Sequence, residues 1–205
     1  MNRRFLGLAA AAAALLLAGC AAMNTVTSEV VSYGDWPAGR APGSYVFERL
    51  PSQQARPERQ AQLEAAAAKA LAAAGFKPAA SPAQADVIVQ IGARITRTEI
   101  APWDDPLWWR WGAGYWRSPA WRPLRSPYYG PYWSLRADWS TRYERSVAIL
   151  LRERAGGTPV YEAHAQNDSA TMGNDATLTA MFMAAMKDFP APSGQGPRSV
   201  SVALE

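Results

Sequence analysis

The sequence predicts an α+β fold. The expected form is a two-layer sandwich in which a mostly antiparallel sheet of about 4–5 strands carries two helices packed on one face. Three observations predict it. Apolar residues alternate with a period of two over 87–95 and again over 139–152. They recur at helical spacing in two separate segments, 58–74 and 175–187. Between the two alternating stretches stands a long aromatic loop insert, "WDDPLWWRWGAGYWRSPAWRPLRSPYYGPYW", with seven of the nine tryptophans and half of the eight tyrosines.

The elements follow in order. Ser44 to Arg49, "SYVFER", alternates Tyr45 and Phe47 against Val46 and Glu48 and predicts a short strand. Pro57 opens a helix at the first position, where a missing N–H costs nothing. Leu63, Ala67, Ala70, Leu71 and Ala74 make its apolar stripe, and Gly75 ends it. The small alanines predict a close approach to a flat surface. In "ADVIVQIGARITRTEI", Val87, Val89, Ile91, Ala93 and Ile95 share one face, with Gln90, Arg94, Thr96 and Thr98 on the other. "WSTRYERSVAILLRER" repeats that pattern through Trp139, Thr141, Tyr143, Val147, Ile149 and Leu151. Gly156-Gly157 breaks the run before "TPVYEAHAQ", which predicts a hairpin. Leu178, Met181, Phe182, Ala185 and Met186 then form a second helical stripe, with Asn174 or Asp175 as N-cap and Pro190 past the end. "RSVSVALE" is either an edge strand or an unstructured end.

The N-terminal segment carries an address. Arg3 and Arg4 precede an uncharged apolar run, Phe5 to Leu17, which is shorter than the ~20 residues a membrane span needs. Positive flank, short apolar run and small residues predict a secretory signal peptide. Leu17-Ala18-Gly19-Cys20 resembles the lipobox of bacterial lipoproteins. The resemblance implies cleavage after Gly19 and a covalent diacylglyceryl and N-acyl lipid, palmitate included, on Cys20, the only cysteine. Ala21 and Ala22 lack the aspartate that retains many lipoproteins in the inner membrane, so it implies an outer-membrane, periplasm-facing location. The expected organisation is a signal peptide at 1–19, a lipidated tether at 20–43 with room for a first strand, a domain at 44–190 holding the insert at 101–138, and a tail at 191–205.

Composition excludes several classes. Without Arg3 and Arg4, Lys+Arg falls from 21 to 19 against 17 acidic residues, a mild excess of +2. Nucleic-acid binding needs a concentrated basic face, and export removes the ligand as well. With Cys20 acylated, no thiol remains for a disulfide, a zinc site or catalysis.

Candidate chemistry is sparse. His164 is the only histidine and is read as a strand or surface residue; no Gly-x-Ser-x-Gly elbow accompanies it. "QNDSATMGND" clusters Asn167, Asp168, Asn174 and Asp175 but lacks the alternating carboxylates and closing glutamate of a calcium loop. It is read as a turn and a helix cap. Asp104-Asp105 before Pro106 is read as a solvated turn. No enzyme, no metal and no cofactor beyond the lipid is expected.

The insert bears the candidate contact residues Trp108, Trp109, Trp111, Trp116, Trp121, Trp133, Arg110 and Arg117. Six prolines from Pro102 to Pro131 forbid a long helix or a central strand, so the segment is an irregular connection. Three readings stay open. The loop folds on itself through Arg–aromatic stacking; or it meets the headgroup layer, where Trp and Tyr concentrate; or it binds glycan, peptidoglycan or an envelope protein.

Taken together, the lipobox, "SYVFERL", the helix ending "LAAAGF", "ADVIVQIGARI", "RYERSVAILLRERAGGTPVYEAHA" and "TLTAMFMAAMKDFP" resemble the DUF4136 family of bacterial lipoproteins, over roughly residues 25 to 190. The resemblance implies an envelope lipoprotein domain, brings no established activity and assigns no residue apart from the lipidated cysteine. The functional expectation is a non-enzymatic, membrane-anchored binding or accessory module of the cell envelope. The alternative is a periplasmic enzyme on envelope polymers with the aromatic loop as a lid.

Overall fold

The computed structural model describes residues 24–100, 140–194 and 196–204. Their elements are β1 (Thr25–Tyr33), β2 (Ser44–Phe47), α1 (Pro51–Gln54), α2 (Pro57–Ala73), β3 (Lys77–Pro78), a single 3-10 turn (Pro82–Gln84), β4 (Val87–Ile100), β5 (Ser140–Glu153), β6 (Pro159–Ser169), α3 (Asp175–Met186) and β7 (Arg198–Ala203). The chain forms two compact units. The first comprises Met1–Arg94, Arg145–Asn167 and Gly173–Glu205, the second Ile95–Glu144 and Asp168–Met172.

The fold remains α+β, but the expected sheet of 4–5 strands with two helices is corrected. Among the described residues the sheet is mixed and has seven strands, ordered β3-β2-β4-β5-β6-β1-β7, and three helices accompany it. Three strands account for the difference. β1 and β7, which the sequence leaves open as a first strand and an edge strand, are both formed, and β3 is only two residues long. The parallel pairs arise because β2, α2 and β4 form one crossover: Tyr45 pairs with Val87 and Phe47 with Val89 in parallel, and Ser44 with Lys77. A chain passing through a 17-residue helix has the length to return in the same direction.

At the other side of the sheet the pairs are antiparallel. β1 runs against β6, with Val30 opposite Ala165, and against β7, with Thr27 opposite Ser201. The Thr27 and Ser201 hydroxyls meet at 2.8 Å. The alternation places Val26, Val30, Val87, Val89, Val147, Ile149, Leu151, Ala163 and Ala165 in the core. They share it with Leu63, Ala67, Ala70 and Leu71 of α2 and Ala180, Met181, Phe182 and Ala185 of α3, and the two helices pack on each other.

Helix ends follow the local chemistry. Pro57 occupies the first turn of α2. Asn174 caps α3, its Oδ1 accepting from the Thr177 N–H at 3.0 Å, while the Thr177 side chain answers the Asn174 N–H at 3.3 Å. Trp36, beyond β1, is buried edge-on against Phe76 (5.6 Å) and Phe189 (4.9 Å), and Phe189 in turn meets Tyr161 at 5.0 Å. Its indole N–H is satisfied by the Arg40 carbonyl at 2.9 Å.

The described part of the second unit holds the end of β4, the start of β5, the last two residues of β6 and residues 170–172. There Ile95 is 44% exposed rather than inward, and Arg97 pairs with Glu99 at 2.8 Å on the surface.

Candidate functional site

Cys20 and the insert residues Trp108, Trp109, Trp111, Trp116, Trp121, Trp133, Arg110 and Arg117 lie outside the described residues, as do Asp104 and Asp105. What the described chain fixes is the insert's address in the sequence of elements: β4 ends at Ile100 and β5, its neighbour in the sheet, starts at Ser140.

His164 sits on the outer face of β6 opposite Val31 and is exposed, with its Nε2 2.6 Å from Glu162 Oε1. The pair is two residues apart on one strand, so alternation alone brings it together. Among the described residues no group of three or more His, Cys, Asp or Glu side chains could hold a metal ion. No helix among them is long and apolar enough to cross a membrane.

Two surface depressions stand out. One, of about 260 Å³, lies between the start of α2 and β4 and is lined by Gln53, Arg56, Arg59, Gln60, Gly92 and Ala93 among others. Gln53 donates to the Ile91 carbonyl at 2.7 Å, fixing α1 to β4 at its wall. Gln60 leads from the cleft to the Arg49–Glu64 pair, contacting Glu64 at 3.2 Å. Arg56 and Arg59 beside a helix N-terminus favour an anionic or carbonyl-bearing group there. The second, of about 280 Å³, runs between Lys187, Asp188 and residues 198–201 of β7.

Local electrostatics are otherwise structural. Asp86 accepts from the Ser44 backbone N–H and hydroxyl, both at 2.7 Å, and these bonds hold its carboxyl below the usual range. They tie the start of β2 to that of β4.

The stretch read as a turn and cap contains more than that. Asn167 is the partner of Arg145, whose Nη2 donates to its Oδ1, while Asn167 Nδ2 donates to the Thr27 carbonyl. Arg145 stands in the inward register of Val147, Ile149 and Leu151 and is only 7% exposed. The periodicity of "RYERSVAILL" carries that signal, because residue 145 falls on the buried face. Asp168 and Asp175 are exposed.

A family model described as a domain of unknown function (DUF4136) matches residues 29–191. No curated protein matches the chain. Similar solved structures include a PDZ domain protein from Parabacteroides distasonis, with a TM-score of 0.48 and 7% identity over 88% of this chain. The chain spans 39% of that protein's length. Another is the PelC dodecamer from Paraburkholderia phytofirmans, with a TM-score of 0.39 and 12% identity, covering 78% of this chain and 95% of that one.

Proposed function

The chain belongs to the DUF4136 family, and from that premise we propose that it is a lipoprotein of the outer membrane that works by binding rather than catalysis. Its aromatic insert is the contact element. The observation that carries the reading is Leu17-Ala18-Gly19-Cys20, a lipidation motif at the end of a short apolar run, with no second cysteine in the chain. Spacing supports it. β1 starts at Thr25, and a chain spans at most ~3.6 Å per residue. A lipid on Cys20 therefore keeps that end of β1 within about 20 Å of the bilayer surface. Acyl anchoring supplies ~0.8 kcal/mol per buried methylene, and more than one chain makes it stable. Trp, Tyr and Arg in the insert suit both headgroups and envelope polymers.

Labelled palmitate tests the anchor. The wild-type chain is expected to incorporate label and fractionate with the outer membrane, whereas Cys20→Ser loses both. Equal labelling of the two would refute the anchor. Tryptophan fluorescence of the full chain, titrated with peptidoglycan fragments and then with liposomes, tests the insert. A shift that disappears when residues 103–133 are deleted is the expected result.

A further inference from the structure

We propose that Arg145 and the N-terminus of α3 form a binding site for a small oxyanion of the phosphate class. The inference concerns the first compact unit alone and is independent of the anchor and the insert. Arg145 is nine-tenths buried, yet its one described polar contact, Asn167 Oδ1, is neutral. Its Nε is buried without any partner. Burial is the cause that pulls the Arg145 pKa down, and no carboxylate among the described residues opposes it. A guanidinium removed from water without a counter-charge is an expensive arrangement, and it points to a missing negative partner.

The surroundings share that polarity. Nη1 of Arg145 lies against Gly173 so closely that a Cβ at that position would overlap it. Thr177 Cβ and Cγ2 are 3.2 and 3.1 Å from the same point. Gly173 immediately precedes Asn174, the N-cap of the 12-residue helix α3. Asn174 satisfies the Thr177 and Leu178 N–H groups. The Asp175 and Ala176 amides come before any intrahelical acceptor. This end of the helix dipole is positive, so a cation is disfavoured there and an anion favoured. Asp175, the acidic residue of the first turn, is exposed and forms no ion pair with Arg145.

A further donor stands on β1, one strand beyond Asn167 of β6. Ser28 Oγ is buried without a partner, one residue along β1 from Thr27, whose carbonyl holds Asn167. The guanidinium, the hydroxyl and the helix amides belong to three elements of the first unit, joined through Asn167, and a tetrahedral oxyanion has acceptors enough for all three. The same phosphate chemistry is offered by free phosphate and by a phosphorylated lipid headgroup.

The detergent-solubilised full chain separates these sources in a calorimetric titration with sodium phosphate and with dihexanoyl phosphatidic acid below its micelle concentration. Sodium chloride at equal ionic strength is the control. Saturable binding of phosphate and a rise of several degrees in Tm beyond the chloride control are expected. Tighter binding of the short lipid identifies a headgroup, equal binding a free anion. Arg145→Lys, which keeps the charge but loses the planar fork, should weaken phosphate binding about ten-fold. Ser28→Ala removes only an unpartnered hydroxyl, so it folds, and should weaken binding several-fold. Absence of saturable binding by the wild-type chain, or undiminished binding by Ser28→Ala, overturns the proposal.

Discussion

Glu64 takes Nε and Nη2 of Arg49 on its two oxygens, each at 2.7 Å, with its own side chain only 14% exposed. The Arg49 hydrogen bond is the largest influence on Glu64 and holds its carboxyl below the usual range. A carboxyl with a lowered native pKa stabilises the fold fully above its unfolded value. That contribution is lost as the pH falls through the native value. Glu64→Gln should therefore lower Tm by a few degrees at most at neutral pH, since Arg49 remains partly solvated. In parallel acid melts the gap between wild type and variant should stay constant down to the ordinary carboxylate range and close below it. A gap that widens in acid would contradict the assignment. Sequence patterning does not pair these two residues, because Arg49 and Glu64 meet only once α2 has packed. The same holds for Arg145: alternation marks its position as inward, while its lack of a counter-charge is a property of the folded neighbourhood.

At the scale of elements, Leu63, Ala67, Ala70 and Leu71 form the buried stripe of α2 that their spacing predicts, and Asn174 is the cap of α3. Long periodic segments announce themselves because many residues repeat one signal. Leu71 is fully buried, and Leu71→Ala is expected to cost about 2–5 kcal/mol, measured by urea unfolding. β3, with two residues, has no period to read. Gly34 has φ +148°, and a Cβ there would stand 2.5 Å from the Val160 carbonyl oxygen and 2.8 Å from Tyr161 Cα. Both obstacles are backbone and cannot swing aside. Gly34→Ala should destabilise by about 1–3 kcal/mol, as overpacking does, and a stability within error of wild type would show that β1 and β6 separate there at little cost.

For the whole molecule, the described residues of the first unit supply a core that draws on both long helices and on β1, β2, β4, β5, β6 and β7. Replacing residues 103–133 by a short Gly/Ser linker should therefore leave one cooperative unfolding transition, with Tm changed by only a few degrees. The variant keeps Trp36 and Trp139, so the buried Trp36 reports on the core. Loss of the transition would mean that the insert belongs to the core. The mixed order of the sheet was not legible in advance, because strand direction depends on which crossovers close, whereas the existence of the long strands depends on local pattern.

β1 is flanked on both sides, by β6 and by β7, in antiparallel ladders. Ladder hydrogen bonds run perpendicular to the strands. A pull on the chain ahead of Thr25, directed along the strand, loads both rows in shear and strains their bonds together instead of unzipping them one at a time. A domain held by its first strand in this way resists mechanical extraction, and the end of the chain that leads toward Cys20 is also the end best built to bear tension.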